Sequence, residues 1–225
     1  MDDLYTKVLE KIENDLVLEP IQLPKELGKI SYPLNMLQMR CSNWRSERIN
    51  KMYCMRLKLL LPSLDILGIT IYPSPAYDVP LFLFDLSCTH KKIVTYINVF
   101  KIADDPEYVC KYIDPFTTVR EKYKHLTAKP VPAWLETYQS TCTIYTHPAR
   151  DNLNIVKSCV LDYLEVYLHL LTSAEKVNSF DRQQQILRFH EQFKYDLATK
   201  DGAQKMLAKV IGKKKAARIY NEVLV

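Results

Sequence analysis

The sequence predicts an α/β protein: an α/β/α three-layer sandwich, with helices covering both faces of a central, mostly antiparallel β-sheet. Five β-rich runs, at 36–42, 50–60, 66–72, 79–87 and 92–101, follow one another with mostly short connections, as in an antiparallel meander. Helical periodicity precedes them at 2–18 and dominates after 105, at 152–171, 180–199 and 203–211. Strands grouped first and helices mostly afterwards fit one sheet wrapped by helices.

Each element has its own local warrant. Leu4, Val8, Ile12 and Leu16 recur on one helical stripe, and Pro20 and Pro24 stop that helix. Leu61-Pro62-Ser63-Leu64 reads as a hairpin loop, and Pro73-Ser74-Pro75-Ala76-Tyr77-Asp78 as a longer turn rich in breakers. Asp105 is placed to cap a helix whose first residue is Pro106. A further strand is expected around 141–145, and Ile155, Cys159, Tyr163 and Tyr167 share one face of the long helix after it. No repeat, low-complexity tract or linker interrupts the chain, so a single domain over 1–225 is expected.

The totals fit that picture: 225 residues, 48% hydrophobic and 25% charged, suffice for one large core. The six cysteines form no C-x-x-C pair and none stands beside a histidine at ligand spacing, so reduced thiols and no bound metal are expected. The acidic start Met1-Asp2-Asp3 has no apolar signal core, and no run approaches the ~20 apolar residues of a membrane span, so a cytoplasmic protein is expected. A net charge of +5 favours an acidic partner or an anionic ligand without requiring nucleic acid.

The four glycines, Gly28, Gly68, Gly202 and Gly212, form no phosphate-cradling loop, so a bound dinucleotide or nucleoside triphosphate is not expected. His90, His125, His147, His169 and His190 form no metal constellation, and there is no G-x-S-x-G elbow for acyl chemistry. An oxidoreductase built from this chain would take its electrons from outside, most simply from another protein.

Three features could carry chemistry. In Val79-Pro80-Leu81-Phe82-Leu83-Phe84-Asp85-Leu86, alternation puts Asp85 on the face of Leu81 and Leu83, with Phe82, Phe84 and Leu86 on the other. A carboxylate on a strand apolar on both faces must be paired, protonated or turned into a pocket, which makes Asp85 a candidate proton donor. The plainer alternative is a strand-end carboxylate hydrogen-bonded to a neighbouring loop. Asp201, three residues before Gln204, has the pattern of a helix cap, a role compatible with facing a cleft. Lys205, Lys209, Lys213, Lys214, Lys215 and Arg218 form a basic cluster, read either as a solvated face or as a docking surface for an acidic electron carrier or a phosphate.

Lys51-Met52, Leu64-Asp65-Ile66-Leu67-Gly68-Ile69-Thr70-Ile71-Tyr72-Pro73 and Tyr77-Asp78-Val79-Pro80-Leu81-Phe82-Leu83-Phe84-Asp85-Leu86 resemble the ferredoxin-dependent bilin reductase family, whose pattern is an apolar strand ending in aromatic-Pro followed by D-x-P-x-F-x-x-D. Thr117 to Tyr123 is similar to its mid-chain helix, and the ending from Leu207 is similar to its closing helix pair. The resemblance runs from about Trp44 to the end.

The resemblance implies a ferredoxin:bilin oxidoreductase that reduces biliverdin IXα to a phycobilin by radical electron and proton transfers. It implies no bound cofactor, reduced ferredoxin as the external donor, no nucleic-acid or membrane partner, and action as a monomer. Asp85 and Asp201 match the family's catalytic aspartates, on the sheet and on the helical side of the pocket. Gly68, Leu83 and His147 are expected to border the substrate, His147 near a position where relatives bind a propionate. Members that make phycocyanobilin carry a histidine in place of Gly68 and a glutamate near Met55. The chain lacks both and looks more like members making phycoerythrobilin, dihydrobiliverdin or phytochromobilin, with phycoerythrobilin by way of dihydrobiliverdin favoured. The competing expectation is a noncatalytic bilin carrier.

Overall fold

The computed structural model describes residues 1–225, the Asn35 side chain excepted. Helix α1 (Asp2–Asp15) is followed by β1 (Glu19–Ile21), α2 (Lys25–Gly28) and β2 (Lys29–Ser31). The meander comes next: β3 (Leu37–Arg45), β4 (Ile49–Leu59), β5 (Leu64–Pro73), β6 (Leu81–Thr89) and β7 (Ile93–Phe100). After α3 (Pro106–Tyr112) and α4 (Thr117–Lys122), β8 (Ile144–Thr146) adds to the far side of β7. Helices α5 (Leu153–Ser173), α6 (Phe180–Lys200), α7 (Ala203–Ile211) and α8 (Lys213–Arg218) follow, and a π-helical turn, Ile219–Leu224, closes the chain.

Every pairing in the sheet is antiparallel, in the order β1-β3-β4-β5-β6-β7-β8, with β2 on the same edge of β3 as β1. The two edge strands β1 and β2 were not expected from the sequence. Each is three residues long, and β1 carries Pro20, which an edge position tolerates because no ladder hydrogen bond is lost there.

Alternation along the strands sorts two cores. Phe82, Phe84 and Leu86 of β6 pack into one, with Leu4, Val8 and Ile12 of α1 and Val156, Val160 and Tyr163 of α5. Phe82 stacks on Tyr167 of α5 at 4.9 Å. Ile155 departs from the expected stripe: it is 37% exposed, and its neighbour Val156 is buried instead. Leu81 and Leu83 point into the second core, built with Phe193 and Leu197 of α6, Leu207 of α7, and Tyr220 and Val223 of the closing turn. Asp105 caps α3 as expected, its Oδ1 accepting from the Tyr108 amide at 2.8 Å. Among the described residues, no helix is long and apolar enough to cross a membrane.

Candidate active site

The register of the meander sets the floor of a cleft between the sheet and the second helical layer. One row crosses it as Met55-Gly68-Asp85-Tyr96-Tyr145, each residue opposite the next on the neighbouring strand. All five line the cleft. Two positions along on one side the row is Tyr53-Thr70-Leu83-Asn98, and on the other Leu57-Ile66-Ser87-Val94. The roof is Leu197, Asp201, Ala203, Met206 and Leu207 at the α6–α7 junction, with Tyr220 and Leu224 from the closing turn and Trp134 and Leu135 from the 3-10 segment Ala133–Tyr138.

Asp85 sits in this floor because β6 is interior and its odd positions face the second layer. It is half-buried and lines the cleft. Burial, with the Asp201 carboxylate adding to it, pushes its carboxyl up to about 7 against the weak counterpull of Ser87, whose Oγ donates to Oδ1 at 3.3 Å. Such a group exchanges its proton near neutrality, the range where a general acid is useful.

Asp201 ends α6, and the chain turns there into α7. Its Oδ1 accepts from the Ala203 amide at 3.0 Å, a capping contact, and its Oδ2 accepts from the Tyr220 phenol at 2.6 Å. Burial and the adjacent carboxylate drive the Tyr220 phenol far above its ordinary range, so it stays protonated and donates. Burial also raises Tyr53 and Tyr96, which keep their hydroxyl protons.

The Trp134 wall is fixed from two sides. Tyr138 donates to Asp196 Oδ2 at 2.9 Å, and Asp196 is also held by Gln192 and Lys200. The Tyr138 carbonyl accepts from the buried Asn98 side chain at 2.7 Å, and Asn98 also donates to the Tyr96 hydroxyl at 3.1 Å. Asn98 Oδ1 accepts from Ser140 and Thr143 at 2.9 and 2.8 Å.

Of the residues singled out from sequence, Asp85, Asp201, Gly68 and Leu83 converge on the cleft. His147 does not line it. It is exposed one residue beyond β8, edge-on to the cleft residue Tyr145 at 5.0 Å, and desolvation together with Lys129 and Lys92 lowers its pKa. The phenols of Tyr53, Tyr96, Tyr145 and Tyr220 went unrecognised in the sequence. Tyr96 had a signal, since folding the 82–99 hairpin tightly about residues 90–91 sets it opposite Asp85. Among the described residues, no cluster of His, Cys, Asp or Glu is arranged to hold a metal ion.

Comparison with known proteins agrees with this geometry. The family model described as ferredoxin-dependent bilin reductase matches residues 5–225. The 15,16-dihydrobiliverdin:ferredoxin oxidoreductase of Gloeobacter violaceus is 28% identical over 159 residues, 68% of this chain and 65% of that protein. The protein of the same name from Nostoc punctiforme is 25% identical over 166 residues, 72% of this chain and 68% of its own length. The matches thus span about two thirds of these relatives. The crystal structure of tomato phytochromobilin synthase in complex with biliverdin superposes with a TM-score of 0.89, covering 97% of this chain and 80% of that one; at 17% identity the likeness is one of fold.

Proposed function

The chain belongs to the ferredoxin-dependent bilin reductase family, and we propose that it reduces biliverdin IXα to a phycoerythrobilin-type bilin by way of dihydrobiliverdin, acting as a ferredoxin:bilin oxidoreductase. The observation that carries this reading is Asp85: a carboxyl with a pKa near 7 in the floor of an apolar, aromatic cleft, facing a second carboxyl on the helical side. Two relatives are named for dihydrobiliverdin:ferredoxin chemistry, and Gly68 and Met55 bring no ionisable side chain to the row on the β4–β5 side of Asp85.

In this reading, electrons arrive singly from reduced ferredoxin and the protein chooses where each proton goes. Saturating one double bond takes two electrons and two protons. Asp85, protonated near neutrality, hydrogen-bonds the pyrrole nitrogens and lactam oxygens of the bilin and gives up its proton as the bilin is reduced to a radical. Asp201 serves the reduction at the A ring from the opposite wall, and the chain supplies no redox group of its own. Lys205, Lys209, Lys213, Lys214 and Lys215 are exposed on α7 and α8, beside the cleft residues Met206 and Leu207. Their charge supports docking of an acidic iron–sulfur protein within electron-transfer reach of the cleft.

The test is an anaerobic absorbance time course with biliverdin, reduced ferredoxin and a reductase that regenerates it, with products separated by chromatography. Bleaching of the biliverdin band with appearance of a blue-shifted product supports the reductase. Stoichiometric binding with an unchanged spectrum identifies a carrier instead.

A further inference from the structure

Both oxygens of Asp201 are already engaged by the protein. The Ala203 N–H donates to one and the Tyr220 O–H to the other, so the carboxyl is oriented from two directions. Ala203 belongs to the same turn and holds one edge of the carboxyl. Tyr220 reaches it from 19 residues further along the chain. The closing turn that carries Tyr220 is anchored to the sheet from behind: Asn43 Nδ2 donates to the Val223 carbonyl at 3.1 Å, and Tyr72 donates to the Leu224 carbonyl at 3.4 Å. The phenol is therefore a donor held in place against Asp201.

Resting on the reading of Asp201 as the acid for A-ring reduction, we propose that Tyr220 is the positioning residue for that step: its hydroxyl holds Asp201 against the start of α7 and fixes the direction in which the carboxyl faces the cleft. The ionisable groups facing the pair are Tyr53 from β4 and Asp85 from β6. Lys200, next to Asp201 on α6, is engaged by Asp196 at 2.9 Å, and the lysines of α7 are exposed. Tyr220 is thus the one neighbouring side chain that donates directly to this carboxyl among the described residues. Removing the hydroxyl leaves the ring in place but frees Oδ2, so Asp201 is less well aimed.

The experiment compares the parent, Tyr220→Phe and Asp201→Asn in anaerobic turnover at about pH 7, following both reduction steps and the kcat and KM of each, with biliverdin affinity and thermal midpoint as checks on folding. In Tyr220→Phe the rate of the A-ring step relative to the first step is expected to fall about tenfold at pH 7, carried in kcat for that step while its KM changes less than about threefold. Asp201→Asn is expected to stop before the A-ring reduction. If Asp201→Asn completes that step at the parent rate, or the parent never performs it, the underlying reading of Asp201 fails and the inference with it. If Asp201→Asn stops while folded, bilin-binding Tyr220→Phe keeps the parent's step ratio and kcat, the role of Tyr220 alone is overturned.

Discussion

Gly68 and Asp85 stand directly opposite each other on β5 and β6, and a Cβ built on Gly68 would lie 3.3 Å from Asp85 Oδ2. The strand backbone at Gly68 does not itself require glycine; the demand is for space. A methyl group at that distance forces the carboxyl aside by a few tenths of an ångström, and a small misplacement of a proton donor costs rate more than binding. Gly68→Ala is expected to lower turnover about tenfold while biliverdin affinity changes less than threefold, as read by steady-state kinetics alongside absorbance titration.

The elevated pKa of Asp85 has a consequence for stability. A carboxyl moved from its ordinary 3.8 to about 7 in the folded protein stays protonated there while the unfolded chain ionises. The native state therefore loses stability as pH rises from about 4 to about 7, with none of the penalty below that window and all of it above. Asp85→Asn has no such titration. Relative to the parent it should gain up to about 4 kcal/mol between pH 4 and pH 8, measured by urea unfolding at the two pH values; a gain that does not change with pH would contradict the assignment.

His190 titrates in the opposite sense. It is buried in the second half of α6, edge-on to Tyr72 at 5.6 Å, with neither ring nitrogen hydrogen-bonded among the described residues. Burial, aided by Lys194, lowers its pKa to about 4. Stability is retained above about pH 6.5 and lost as pH falls towards 4, by about 3 kcal/mol in all. His190→Phe should flatten that acid limb in thermal midpoints recorded from pH 7 to 4.

Charge reversal on the exposed face of α7 and α8 tests the docking surface. Lys209→Glu with Lys213→Glu is expected to raise the KM for ferredoxin several-fold at low ionic strength and leave biliverdin binding intact. The difference should shrink as added salt shortens the range of the interaction to about 3 Å near 1 M. Equal KM values at low salt would place the donor elsewhere.

The meander was legible in the sequence because alternation in 79–87 sorts Phe82, Phe84 and Leu86 from Leu81, Leu83 and Asp85, and the same pattern gave β3 to β5 and β7 within a few residues. β1 and β2 were not legible, since three-residue edge strands draw their conformation from pairing with β3 rather than from any pattern of their own. In the cleft, Asp85 could be singled out as a polar residue on an otherwise apolar strand. Tyr220 could not, because its role depends on the closing turn folding back beneath the α6–α7 junction, a tertiary relationship between positions 19 apart. His147 was singled out only through the resemblance, near a position where relatives bind a propionate, and β8 ends at Thr146 and leaves it exposed.

The most direct test of the account is anaerobic turnover of Asp85→Asn. Its amide cannot supply the proton, so biliverdin should bind within a few-fold of the parent affinity while the biliverdin band persists under reduced ferredoxin and no reduced bilin is recovered by chromatography. Formation of the parent's product at the parent's rate would contradict the assignment of Asp85 as the proton donor on which the whole reading rests.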